Sequence, residues 1–193
     1  GIRDLIVTGV QRVLFRSMTD LARAIHAQPE LSFAEHHASA ALQAPLEAAG
    51  FTVTRGVAGL ETAFRARLDS GKPGPHVALL AEYDALPELG HACGHNLIGT
   101  ASVAAAVALA NSGTLHSGVL EVIGTPAEEE GGGKIIMAEN GVFDGVDAVM
   151  MFHPREKNMM TRGALACVDA TFKFYGKAAH AASAPHLGIS ALD

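Results

Sequence analysis

Two apolar runs, "HVALLAEYD" (76–84) and "GVLEVIGTP" (118–126), bracket an alanine-rich stretch, "NLIGTASVAAAVALANSG" (96–113), and this order constrains the fold most. Each run is short, apolar and flanked by Gly or Pro, as buried strands are. The stretch between them reads as a helix whose small side chains suit close packing on a sheet. "FTVTR" (51–55) and "ETAFRARL" (61–68) read as further strands and "DSGKPGP" (69–75) as a turn. "GKIIMAENG" (133–141) reads as a short helix and "DAVMMFHP" (147–154) as another strand. Alternating strands and helices predict an α/β fold, with a mixed, mostly parallel sheet flanked by helices.

Ahead of this core, "MTDLARAIHAQPEL" (18–31) has apolar residues at helical spacing and stops at Pro29. "SFAEHHASAALQAPLEAAGF" (32–51) opens with Ser32 and Glu35 at capping-box spacing and ends at Gly50. Pro45 inside it predicts a kink or break. Residues 1–17 resemble translated adapter sequence, the first methionine being Met18, and are set aside as non-native. Residues 18–165 are then expected to form the first domain. Past "TRGALA" the pattern changes: "CVDATFKFYG" (167–176) alternates like a half-solvated strand, and "AAHAASAPHLGISALD" (178–193) leads from a loop into a helix. Residues 166–193 are expected to begin a second, α+β domain.

Net charge is −6, from 14 basic and 20 acidic residues, and no basic stripe appears. Nucleic acid and anionic membrane are therefore excluded as main partners. The longest apolar stretch, "VAAAVALA", falls far short of the ~20 residues a membrane span needs. Two cysteines make no disulfide framework and no secretory signal is visible, so a reducing, cytoplasmic setting is expected.

Ligands of open α/β sheets bind outside the carboxyl ends of the strands. Four clusters fall there: Glu82 with Asp84, Cys93 with His95, Glu128 to Glu130, and His153. Each alone has a structural explanation, such as a hydrogen-bonded histidine or a glutamate run favoured at a helix N-terminus. Together, thiol, imidazole and carboxylate make the donor set that a borderline-soft ion such as zinc accepts. Gly131 to Gly133 do not make a phosphate loop, because no Gly-Lys-Ser/Thr ending follows and three glutamates would repel phosphate. They let the backbone turn sharply instead.

"AEYDALPELGHACGHN" (81–96), "GTPAEEEGGGKIIMAENGVFDGVDAVMMFHP" (124–154) and "GKAAHAASAPHLGISALD" (176–193) resemble the three signature stretches of the aminoacylase and carboxypeptidase family of dinuclear metallopeptidases. "HAQPELSFAE" (26–35) fits as well. The resemblance implies a metal-dependent amidohydrolase cleaving N-acyl amino acids, p-aminobenzoyl-glutamate or dipeptides. Its cofactor would be two divalent ions, zinc or manganese, with cobalt as an alternative. Cys93 and His95 match the metal-binding Cys-Gly-His, with Cys93 as the bridging ligand. Glu128 matches the general base, Glu129 its neighbouring ligand, and His153 the next ligand. Asp84 matches an acidic residue beside the metals. His180 matches a lid histidine that, in homodimers, enters the partner's active site and steadies the oxyanion.

His91 and Glu130 receive no role. Asn96 and "EYDALP", where hippurate-type members carry Asp and "DMDALP", point to the branch of p-aminobenzoyl-glutamate hydrolases and aminoacylase-like dipeptidases. Family members supply a last ligand histidine after the lid, so a chain ending at Asp193 reads as a fragment, inactive by itself. Two other readings stand beside this one. A non-catalytic metal binder would have no use for Glu128 as a base, and a phosphate-binding α/β domain lacks the residues it needs.

Overall fold

The structure, a computed structural model, describes residues 9–160, 168 and 170–192, with side chains from residue 14 onward. The chain divides into two compact units, Gly1–Glu156 and Lys157–Asp193. Residues 1–8, the boundary expected near residue 165, and Cys167 lie outside the described residues.

The first unit runs α1 (Gly9–Ala27), α2 (His36–Ala48), β1 (Thr52–Arg55), β2 (Phe64–Asp69), β3 (His76–Ala81), α3 (His95–Ser112), β4 (Val119–Gly124), α4 (Gly133–Glu139) and β5 (Ala148–Met150). The sheet order is β1-β2-β4-β3-β5. Strand β3 is parallel to β4 and β5, whereas β2 is antiparallel to β1 and β4. The α/β architecture is as expected, with parallel and antiparallel pairings equal in number rather than mostly parallel. The short link from β1 to β2 permits only an antiparallel return, while α3 supplies the long crossover that parallel β3 and β4 require.

One sheet face buries Phe64, Ala66, Ala81, Leu120 and Val122 against Ile25, Leu42, Leu46, Val103 and Ala106 of the first three helices. The other face packs Ala78 and Ile123 on Met137 and Val142. No helix among the described residues is long and apolar enough to cross a membrane.

Helix α1 begins at Gly9, ahead of Met18. Helix α2 begins at His36 and the expected capping box is not formed. Its first N–H groups go to Glu30 instead: His37 donates to Oε1 and Ala38 to Oε2, both at 2.9 Å. A carboxylate there also suits the helix dipole. Glu35, fully buried, accepts the Thr62 hydroxyl and the Ala127 N–H, each at 2.8 Å. Pro45 lies inside α2 three residues before its end, and the helix continues through it to Ala48. The strand expected at 147–154 shrinks to Ala148–Met150, which pairs with β3 alone, and the chain leaves the sheet at Met151.

In the second unit an antiparallel bridge joins Lys177 and Ile189 through N–H···O bonds of 2.9 and 3.0 Å, and a 3-10 turn spans Pro185–Leu187. The strand expected at 167–176 and the helix expected before 193 are not formed among the described residues. A strand needs a partner along its length, and the described backbone offers only this bridge.

Candidate metal centre

Parallel strands bring their carboxyl ends to one sheet edge. Ala81 lies beside Gly124 and Leu79 beside Met150, so the segments leaving β3, β4 and β5 start as neighbours. Along the first of them, alternation sends Tyr83 into the core, where its hydroxyl donates to the Thr62 carbonyl at 2.7 Å. Glu82 and Asp84 take the other side and are also buried. Helix α3 begins with His95, directly after Gly94, whose φ of 80° turns the chain between Cys93 and His95. A Cβ at Gly94 would lie 2.8 Å from Pro154 Cγ.

His95 is 1 % exposed. Its Nδ1 donates to Asp84 Oδ1 and to the Asp84 carbonyl, both at 2.9 Å. Asp84 Oδ2 accepts the Glu129 N–H at 2.9 Å and the Ser32 hydroxyl at 3.1 Å. Burial pushes the Asp84 carboxyl up, but these hydrogen bonds outweigh it and hold the group below the usual carboxylate range. An anionic Asp84 keeps one proton of His95 on Nδ1, so that Nε2 offers its lone pair to a cation, either a second proton or a metal ion.

That lone pair faces three carboxylates: Glu82 Oε2 at 3.5 Å, Glu129 Oε1 at 3.7 Å and Glu128 Oε2 at 3.8 Å. His95 Nε2 and Glu82 Oε2 are both buried without a hydrogen-bond partner. Buried lone pairs aimed at one another are costly unless a cation lies between them. Burial lowers the basicity of His95, yet the hydrogen bond to Asp84 and the charges of Asp84, Glu82 and Glu129 leave its pKa raised. The electrostatics of the cluster therefore favour a bound positive charge.

His153 lies edge-on to His95, with ring centroids 6.3 Å apart. Its Nδ1 donates to the Pro154 carbonyl at 3.0 Å, which leaves Nε2 for another partner. Ligand atoms of Glu82, His95 and His153 lie within 4.8 Å of one another, as do those of His95, Glu128 and Glu129. The exposed Cys93 thiol stands outside both groups, and the neighbouring Glu129 carboxylate, with partial desolvation, pushes its pKa up to about 11. In the second unit His180 Nδ1 accepts the N–H groups of Ala182 and Ser183, at 3.2 and 3.1 Å.

Of the residues singled out in the sequence, His95, Glu128, Glu129 and His153 thus converge, Asp84 supports them, and Cys93 touches the group through Glu129. Glu82 is the member to which the motifs gave no role. Its signal was its position two residues before Asp84 in an extended segment, which puts both carboxylates on one side. Imidazole, carboxylate and thiol together suit zinc or a similar divalent ion. A carboxylate on the far nitrogen of a histidine is also the usual support of a metal-bound imidazole.

The sequence profile of Peptidase family M20/M25/M40 matches residues 78–191. The chain belongs to this family. Among similar M20/M25/M40 proteins, a p-aminobenzoyl-glutamate hydrolase subunit of Escherichia coli is 44% identical, over 91% of this chain and 40% of its own length. The human Xaa-Arg dipeptidase is 46% identical, over 90% of this chain and 43% of its own. A crystal structure of the YXEP protein of Bacillus subtilis, a dinuclear metal-binding M20 peptidase, superimposes with a TM-score of 0.66 at 28% identity, covering 72% of this chain and 42% of that one. The chain therefore spans about two fifths of the length of these relatives.

A thiol with a pKa near 11 is almost wholly protonated at pH 8. In a Cys167→Ser background without metal, alkylation of Cys93 by iodoacetamide at pH 8 is expected to run roughly 100-fold slower than that of an unperturbed thiol. Glu129→Gln should speed it up by removing the acceptor and its charge. A wild-type rate equal to that of free cysteine would show that Glu129 does not hold the thiol proton.

Proposed function

We propose that this chain is the site-bearing part of a metal-dependent amidohydrolase that cleaves p-aminobenzoyl-glutamate, dipeptides or N-acyl amino acids. The observation that carries the reading is the pair of orphaned, buried ligand atoms, His95 Nε2 and Glu82 Oε2, within a ring of carboxylates and imidazole. The names of the similar proteins from Escherichia coli and human support the substrate class.

His95, Glu129, His153 and Cys93, with Glu82 beside His95 and His153, would hold two divalent ions, zinc or manganese, with cobalt as a substitute. When bound, such ions lower the pKa of a coordinated water toward neutrality and polarise a carbonyl. Asp84 orients His95 through Nδ1. Glu128, whose side chain is 43% exposed, is positioned to meet solvent and substrate. In the metal-free protein, burial and the charge of Glu82 raise its pKa, and a carboxylate open to solvent beside the cluster is placed to serve as a general base. Glu128 takes a proton from the attacking water and passes it to the leaving nitrogen. His180 would steady the oxyanion in a homodimer, as the family motif implies, and a cytoplasmic setting that keeps Cys93 reduced belongs to the same proposal.

The test is a full-length enzyme carrying this chain, assayed with p-aminobenzoyl-glutamate, dipeptides and N-acetyl amino acids after chelation and again after zinc, manganese or cobalt is restored. Loss of hydrolysis on chelation and recovery on addition is expected. Hydrolysis untouched by chelators would sink the metal reading. Metal binding without hydrolysis of any of these amides would indicate a binding protein instead.

A further inference from the structure

Lys134, the second residue of α4, reaches the cluster at Glu82. Its Nζ lies 2.5 Å from Glu82 Oε1. The Lys134 side chain is 27% exposed and that of Glu82 only 2%. The two oxygens of Glu82 therefore have different surroundings. Oε1 is neutralised by the ammonium, while Oε2 is buried, unpartnered and turned toward His95 Nε2. Among the described residues, no other Lys or Arg pairs with Glu82, Asp84, Glu128 or Glu129. Neither metal ligation nor proton transfer in the cluster makes use of Lys134.

We infer that Lys134 is the resident counter-cation of the cluster: it neutralises Glu82 in the metal-free protein and competes with an incoming ion for that carboxylate, so that it sets how tightly the centre holds metal. The physical basis is a charge balance. Without metal, Glu82 is a buried anion whose fixed positive partner is Lys134, since His95 carries charge only when it takes up a second proton. With metal, the ammonium becomes a like charge beside the ion and weakens its binding. Lys134 thus keeps the metal-free site folded at the expense of affinity. It is a positioning residue acting through Glu82, and the inference rests on the metal-centre reading.

The experiment uses a full-length enzyme carrying this chain, zinc as the probe, and competition with a chromophoric chelator to obtain the zinc Kd. Thermal unfolding is followed with excess chelator and with excess zinc. Lys134→Met is expected to tighten zinc by roughly tenfold, as removal of one nearby unit charge from a partly screened site would. It should also lower the metal-free midpoint and so enlarge the shift that zinc produces. Lys134→Arg, which retains the charge, should stay close to wild type. In the Glu82→Gln background, Lys134→Met should change the Kd less than about twofold, because the group they compete for is gone.

Wild-type zinc binding with an unchanged or weakened Kd in Lys134→Met overturns the inference but leaves the metal centre standing. An equal effect of Lys134→Met with and without Glu82 also overturns it, since Lys134 would then act as a distant charge only. Failure of the wild-type chain to bind zinc overturns the metal-centre reading itself, and the inference falls with it.

Discussion

In a full-length enzyme carrying this chain, Glu128→Gln is expected to cut amide hydrolysis by roughly 10²–10⁴-fold and to leave metal content nearly unchanged. Gln preserves the size and hydrogen-bonding reach of Glu128 but cannot take up a proton at neutral pH. Two adjacent glutamates separate the functions of base and ligand because their surroundings differ. The Glu129 N–H is fixed on Asp84 at 2.9 Å, and its side chain is only 17% exposed, beside the Cys93 thiol. Glu128 is more open, and its raised pKa comes from partial burial and the charge of Glu82. Metal stoichiometry and hydrolysis rate measured on one preparation decide the matter. Loss of metal along with activity would mean that Glu128 is the ligand and Glu129 the base.

Gly133→Ala is the second large effect, and it is expected first in stability. A Cβ at Gly133 would sit 1.9 Å from the Pro126 carbonyl oxygen and 3.0 Å from its carbon. The obstacle is backbone, so no side-chain rotation relieves it. Nor is the loop free to retreat: the Ala127 N–H is held by Glu35 at 2.8 Å, and the Gly133 N–H itself donates to the Ala127 carbonyl at 3.1 Å. Overpacking of this kind costs about 1–3 kcal/mol or more. At about 2–4 °C per kcal/mol for a chain of this size, the melting midpoint should fall by several degrees. Zinc affinity should fall too, because relief of the clash moves the segment that carries Glu128 and Glu129. An unchanged midpoint would show that the segment is looser than its hydrogen bonds indicate.

Much of this arrangement is legible in the sequence. The runs at 76–84 and 118–126, with a helix between them, specify neighbouring parallel strands, and the segments leaving parallel strands share one edge of the sheet. That logic alone brings Asp84, His95, Glu128, Glu129 and His153 to a single region. The features that stay hidden are decided at long range. Ser32 and Glu35 have capping-box spacing, yet both are drawn into tertiary bonds, Ser32 to Asp84 and Glu35 to Thr62 and Ala127. Glu30 then caps the helix in their place. Motif matching assigns a role only where a position coincides, so it passes over Glu82 and Lys134. Strand β5 falls short of its apolar run because hydrogen bonding to β3 ends at Met150, which hydrophobicity alone does not encode.

The Glu35 tether has a consequence for the order in which the protein assembles. Its two bonds reach 27 and 92 positions along the chain, and the Glu130 N–H to Ser32 contact reaches 98. Each closes a long loop whose entropy is lost before the contact returns anything. The strand pairings of the sheet all span fewer positions than the 92 and 98 of the Ala127 and Glu130 contacts, so the segment carrying Glu128 and Glu129 settles only after the N-terminal helices have docked. The cluster should accordingly be among the last parts to form on refolding and among the first to loosen under denaturant. An ion that binds only the completed cluster would act on that final step, slowing unfolding more than it speeds folding.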